Sequence, residues 1–418
     1  MTSSKIHPRL VFADNKGNIY DHPELLMLSR KKGEFQRPRP EELIPLPKGC
    51  DLFFLPQRYA LGLDPETGQI VDLDYLPVAA FVCPGYTLTG LSAFACTQKA
   101  TPLPLYAYGA IGYDKGRFWL SAKQVDTDPR QRFEDIPTSD IEQGIKVLLE
   151  KYPQNRLCAH LSKCALTYCC PAAKNLALGR YEAPLPTSKT CNANCIGCIS
   201  KQDLDTGFPA NQERISFRPT SQEITQIMFE HAKHEKRPIF SFGQGCEGEP
   251  LLEAKLLQKA IREYRAMQGP GTININSNGS LPSVLPQLKD SGLNSIRVSL
   301  NSAKEEFYTA YYRPASYTFQ DVLETLYQAK ALDLFVSLNY LYFPGINDSE
   351  DEFIALAGLI SKTQLDLIQL RNLNIDPELY LKVMPSSDSP AMGLNNFQKR
   401  LQKELPWLRF GYFNPYLG

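Results

Sequence analysis

The sequence predicts an α/β protein, a partial (βα)6 barrel of the TIM type preceded by a β-rich N-terminal domain, and three observations carry that expectation. Over the second half of the chain, short apolar runs of β character alternate with amphipathic helical patterns, and strands separated by helices pair in parallel through right-handed crossovers. The first 150 residues carry hairpin punctuation and few helical signals. At 418 residues, 43% hydrophobic and 22% charged, the chain has room for two or three domains and a sizeable core.

Taken in order, residues 1–150 form the β-rich domain. Its turns are Asp14-Asn-Lys-Gly17, Glu66-Thr-Gly68 and Asp114-Lys-Gly116, each leading into a hydrophobic run. The basic, proline-containing stretch Arg30–Pro40 reads as a solvated linker without a role. A helix over Thr138–Tyr152 places Ile141, Ile145 and Leu148 or Leu149 on one face. A cysteine-containing connector, 151–184, follows. The barrel spans 185–375, with strands at Leu185–Lys189, Pro238–Phe242, Thr272–Asn276, Ser295–Leu300, Phe335–Leu341 and Leu367–Leu373. Between them lie helices at Ser221–His234, opened by the capping box Thr220-Ser-Gln-Glu223, and at Leu251–Met267, Ser283–Ser291, Phe319–Leu332 and Asp348–Thr363. Residues 376–418 read as a C-terminal tail rich in aromatics.

Composition removes several classes of function. The 45 basic residues balance 45 acidic ones and neither half is polarised, which argues against a protein held to nucleic acid mainly by phosphate contacts. The longest apolar stretches, near Leu76–Cys83 and Phe353–Ile360, fall far short of the roughly 20 residues a membrane span needs. The N-terminus has no apolar signal region. A soluble, cytoplasmic protein with no membrane partner is therefore expected. In a reducing compartment its 11 cysteines are core fillers or ligands.

Cys191-Asn-Ala-Asn-Cys195-Ile-Gly-Cys198 follows the first predicted strand, at the end of a parallel barrel where sites are built. Three thiolates spaced four and three residues apart converge on one metal centre, and Ala193 and Gly197 let the backbone wrap closely. Structural zinc sites and electron-transfer clusters close with four ligands, whereas three leave a position open for a substrate or cofactor. Zinc closed by a distant fourth ligand such as Cys246 is the alternative.

This C-x3-C-x2-C pattern at the end of the first strand of a βα repeat resembles the signature of the radical S-adenosylmethionine (radical SAM) enzymes, over about Leu185–Leu373. The resemblance implies that Cys191, Cys195 and Cys198 hold a [4Fe–4S] cluster whose unique iron chelates S-adenosylmethionine (SAM). Reduction then yields a 5′-deoxyadenosyl radical that abstracts hydrogen from a substrate. Phe240-Ser-Phe-Gly-Gln-Gly-Cys-Glu-Gly-Glu-Pro250 ends in Gly248, Glu249 and Pro250, similar to the family's GGEP motif, which places Glu249 on the SAM ammonium. By the same likeness Asn276 or Asn278 lines the cavity, Ser299 and Asn301 contact ribose, and Ile346 and Asn339 lie beside adenine. Arg371, Asn372 and Arg313 meet the SAM carboxylate or an anionic substrate. One departure stands out: many members carry an aromatic residue just before the third cysteine, where this chain has Gly197.

The segment holding Cys158, Cys164, Cys169 and Cys170 offers either a second iron–sulfur cluster or buried thiols on a helix. A radical SAM enzyme also implies a reductant such as ferredoxin or flavodoxin. The balanced charge favours a small-molecule or peptide substrate over nucleic acid. The competing readings are an iron–sulfur or zinc scaffold that never turns over SAM, and an RNA-modifying member of the family.

Overall fold

The architecture is that of a computed structural model, which describes residues 6–203 and 206–418. The barrel sheet has seven parallel strands in sequence order: β1 (Glu182–Pro184), β2 (Ile239–Phe242), β3 (Thr272–Ser277), β4 (Ser295–Leu300), β5 (Phe335–Tyr342), β6 (Leu367–Asn372) and β7 (Arg409–Gly411). Helices α1 (Ser221–His234), α2 (Ala254–Ala266), α3 (Leu285–Ser291), α4 (Glu305–Tyr312), α5 (Phe319–Ala331) and α6 (Glu350–Thr363) connect them. Every residue of β2 and β3 is buried, as expected of a parallel sheet covered on both faces. Thr220 and Glu223 form the predicted capping box of α1.

Two elements differ from the sequence reading. The first strand lies three residues earlier than Leu185–Lys189, because Pro184 and Pro186 lack the N–H that would continue the ladder; Leu185–Lys189 leads into the loop that carries the cysteines. The C-terminal tail is ordered as a helix, Leu394–Glu404, and as β7 on the edge of the sheet. The helix buries Leu394, Phe397 and Leu401, a three- and four-residue spacing present in the sequence.

The N-terminal strands form an antiparallel sheet, with Gly17, Gly68 and Gly116 at positive φ in the three predicted turns. The linker reading of Arg30–Pro40 is overturned. Ser29–Lys31 and Glu34–Gln36 pair as a hairpin, and Arg30 and Lys31 are buried in ion pairs with Glu378 and Glu42. Burial of these charges requires acids from other segments, Glu42 eleven residues on and Glu378 at the far end of the chain, which no local pattern announces.

The N-terminal sheet packs on the C-terminal end of β6. Asn372 Oδ1 accepts from Leu88 N at 2.8 Å and its Nδ2 donates to Tyr86 O at 3.0 Å, while Thr87 Oγ1 donates to Leu370 O at 2.8 Å. Arg58 Nη2 meets Asp376 Oδ2 at 2.8 Å with both side chains almost wholly buried. The connector folds as helices Arg156–Leu166 and Pro171–Ala177, and Arg156 pairs with Glu223 of α1. No described helix is long and apolar enough to cross a membrane.

Glu352 of α6 is fully buried and accepts hydrogen bonds from Ser302 Oγ, Ala303 N and Tyr340 Oη. Burial pushes its carboxyl up to about 7. Because the folded value is raised, the folded state holds the proton more tightly than the unfolded chain does. This contribution to stability is present below pH ~4.5 and is lost as pH rises through 7. Glu352→Gln therefore gains about 2 kcal/mol on wild type between pH 5 and pH 8. Urea midpoints of both proteins at the two pH values measure it, and a pH-independent difference would contradict it.

Candidate active site

The site is assembled where the loops after β1, β2 and β3 meet. Glu247 is the cross-tie. One carboxylate oxygen accepts from Thr187 N, Thr187 Oγ1 and Ser188 N, and the other accepts from Gly243 N and Gln244 N, at 2.7–3.1 Å. The base of the cysteine loop is thus bonded to the glycine loop after β2. Gly248 N donates to Ser188 O at 2.7 Å and Glu249 N to Thr190 O at 2.9 Å. A Cβ at Gly248 would lie 1.9 Å from Thr190 O, so only glycine allows this approach.

Glu249 is buried at the helix entrance that Pro250 opens. Its Oε1 accepts from Leu251 N at 3.0 Å and Ser277 Oγ at 2.7 Å, and its Oε2 accepts from Asn278 N at 2.9 Å. Burial pushes the carboxyl up to about 7. Glu249 enters no ion pair among the described residues, so a cation arriving beside it would restore its charge.

The cysteine loop is docked on its far side by the end of α4. Ile196 N donates to Tyr311 O, Asn194 N to Tyr312 O, and Ala193 pairs with Pro314. Asn192 joins Ser280 and Asn278. At Gly197, a Cβ would sit 2.5 Å from the Tyr311 hydroxyl. The place of the aromatic expected before the third cysteine is taken by a tyrosine from a different element.

Burial raises the thiols of Cys191 and Cys195, and for Cys195 the neighbouring Cys198 and Cys191 add to it. Arg214 Nη2 donates to Cys198 Sγ at 3.3 Å and its Nε to Ser200 Oγ at 3.1 Å. The three thiols do not all lie within 4.8 Å of one another. A tetrahedral ion draws its ligands closer than that, whereas a cubane holds each cysteine on a separate iron. Cys246, the distant thiol that zinc closure would need, faces Cys164 and His160 instead. The donor set therefore fits a cluster with one open iron better than zinc.

Inside the barrel, β4 alternates. Ile296, Val298 and Leu300 are fully buried, while Arg297 and Ser299 keep some exposure. Arg297 Nη1 donates to Gln369 Oε1 at 2.9 Å, and Arg371 Nη2 reaches the same oxygen at 3.4 Å. Neither arginine enters an ion pair among the described residues, and the Nε of each is buried without a partner. Burial, then the nearby Arg371, brings Arg297 down to about 9. Arg371 is held by Tyr412 O at 2.6 Å and lies 4.0 Å from that ring, a service rendered by the segment expected to be a tail.

The structure brings together Cys191, Cys195, Cys198, Gly248, Glu249, Pro250 and Asn278 at the mouth. Asn276 bonds Gly243 O, and Ser299 accepts from Asn339 Nδ2. Asn301 is not brought to the mouth: it is fully buried, and its Nδ2 donates to Phe307 O. Ile346 lines a cleft of about 250 Å³ with Lys32, Lys304 and Phe307. Arg313 is an exposed helix cap, and Asn372 is spent on the N-terminal sheet. Sequence reasoning missed Glu247, Tyr311, Arg214 and the inward Arg297. Only Arg297 had a local signal, the alternation of β4.

A parallel partial barrel with a three-thiol loop after its first strand and a buried acid after its second defines a class built for a cluster with an open iron. Residues 185–357 match the model of the radical SAM superfamily. The chain is 29% identical over 198 residues to molybdenum cofactor biosynthesis protein 1 of Bos taurus, covering 46% of this chain and 28% of that one. It is 29% identical over 178 residues to a probable GTP 3′,8-cyclase of Methanocella arvoryzae, covering 42% and 52%. The structure of HydG, a maturase of the [FeFe]-hydrogenase, shares 15% identity over 68% of each chain, with a TM-score of 0.40. The aligned stretch thus spans about half or less of these curated relatives.

Proposed function

We propose that the protein is a radical SAM enzyme acting on a substrate that carries an anionic group. The observation behind it is the three-thiol loop, bonded through Glu247 to the loop of Glu249. A bound [4Fe–4S] cluster and SAM would supply reductive cleavage of the sulfonium and a 5′-deoxyadenosyl radical. Cys191, Cys195 and Cys198 hold the irons. Glu249, a buried carboxylate without an ion-pair partner among the described residues, would take the SAM ammonium, and Gly248 and Pro250 would hold it in place. Asn276 and Ser299 offer polar contacts in the lumen, and Tyr311 closes the loop against water.

Arg297 and Arg371 give the substrate class. The two guanidiniums share one amide oxygen and neither enters an ion pair among the described residues, Glu182 acting on Arg297 only from beyond ion-pair distance, which favours a carboxylate or phosphate between them. The relatives named GTP 3′,8-cyclase point to a phosphorylated substrate, and the lumen suits one. A low-potential donor such as ferredoxin or flavodoxin completes the set.

The test is anaerobic reconstitution of the full chain with iron and sulfide, reduction, and addition of SAM. 5′-Deoxyadenosine is expected; a full complement of cluster iron with no 5′-deoxyadenosine overturns the reading. Arg297→Gln and Arg371→Gln should each weaken binding of inorganic pyrophosphate, followed by calorimetry, by about 10- to 100-fold. Both should keep SAM cleavage, and unchanged pyrophosphate affinity would remove the assignment of this subsite.

A further inference from the structure

Outside the mouth, one cluster of ligating side chains has no part in the reading above. His160 and Cys164 sit four residues apart on the connector helix Arg156–Leu166, so they share a face. Cys246 comes from the glycine loop after β2. Their ligand atoms all lie within 4.8 Å of one another, and no other trio of histidine, cysteine or acidic residues among those described does so. Cys164 Sγ is 3.6 Å from His160 Nε2, close to the ~3.5–3.8 Å edge of a tetrahedron with bonds of about 2.1–2.3 Å.

We propose that His160, Cys164 and Cys246 bind one zinc ion, which clamps the connector helix to the glycine loop. Cys164 and Cys246 are 1% and 3% exposed, so the site is closed to solvent as structural zinc sites are. Cys170 N donates to Cys164 O at 3.0 Å, which keeps this half-buried residue next to the trio as a candidate for the fourth position. Thiols acting only as apolar filler would not explain an imidazole nitrogen aimed at one of them.

The separation of the ligands also separates this site from a second iron–sulfur cluster. Atoms this close suit one ion, while Cys158 is buried in the apolar core and Cys169 is exposed. Cys246 stands next to Glu247, whose carboxylate joins the cysteine loop to the glycine loop. A metal on Cys246 therefore positions the loop that carries Glu249. The proposal does not depend on SAM chemistry.

The experiment is metal analysis of the full chain expressed with iron and zinc supplied. About one zinc per chain is expected in wild type, and the same in a variant with Cys191, Cys195 and Cys198 all changed to Ala. Cys164→Ser and Cys246→Ser should lose the zinc and keep the cluster iron and sulfide. Cobalt(II) loaded in place of zinc should give thiolate-to-cobalt charge-transfer absorption in wild type, which decides the matter if the serine variants fail to fold. Wild type free of zinc and silent with cobalt overturns the proposal. So does zinc retained in both serine variants, extra iron and sulfide held by these residues, or a Cys164–Cys246 disulfide in anaerobic protein.

Discussion

Cys195→Ala removes iron from the three-thiol loop and brings 5′-deoxyadenosine formation down to background. Cys195 is the most enclosed of the three ligands, and both of its neighbours in sequence are tied to α4 by backbone hydrogen bonds, Asn194 N to Tyr312 O and Ile196 N to Tyr311 O. Those bonds survive the substitution, so the loop keeps its course and loses one donor. Two thiolates cannot hold a cubane with a single open iron. The apo-protein should lose no more than about 1 kcal/mol, the scale for deleting one small buried group. Iron analysis, the visible absorption of the reconstituted protein and 5′-deoxyadenosine yield measure the effect. A variant that keeps its colour and cleaves SAM at the wild-type rate would remove the basis of the proposed function.

The largest effect on stability is expected at Asp376→Ala. Asp376 Oδ2 accepts from Arg58 Nη2 at 2.8 Å and from Leu103 N at 2.7 Å, at a junction where both charged side chains are almost fully buried. Arg58 keeps the carbonyls of Pro56 and Thr101, but its Nε is already without a partner. Removing the acid leaves a buried cation uncompensated, at a cost of about 3–5 kcal/mol. Replacing both residues with apolar ones of similar size should recover most of that, since the pair's own net contribution is small. Urea unfolding of the single and double variants measures both values. A loss below about 1 kcal/mol in Asp376→Ala would show that water reaches Arg58.

Much of the barrel was readable from local pattern. The strands β2 to β6 and the helices α1, α5 and α6 fall within one or two residues of their expected limits, because apolar spacing, the Thr220–Glu223 box and the turn before Asp348 act within one element. Short α4 escaped notice, and β7 is only three residues long, below the length at which alternation speaks. In the site, the cysteines and Glu249 were found because each lies in a compact motif. Glu247, two residues before Glu249, escaped notice, yet its carboxylate takes five hydrogen bonds from two loops.

Local order along the chain was sufficient for the parallel barrel, the three-thiol loop and the turns of the N-terminal sheet, since each depends on contacts a few residues apart. Long-range packing alone chose Tyr311 to fill the space beside Gly197, turned Cys246 away from the mouth toward His160 and Cys164, and set Arg297 and Arg371 on one amide oxygen without an ion pair among the described residues. These outcomes join residues from about 70 to 115 positions apart. The physical reason is burial. A charge, thiol or ring removed from water takes its partner from whatever the fold places beside it, and sequence spacing says nothing about that neighbour.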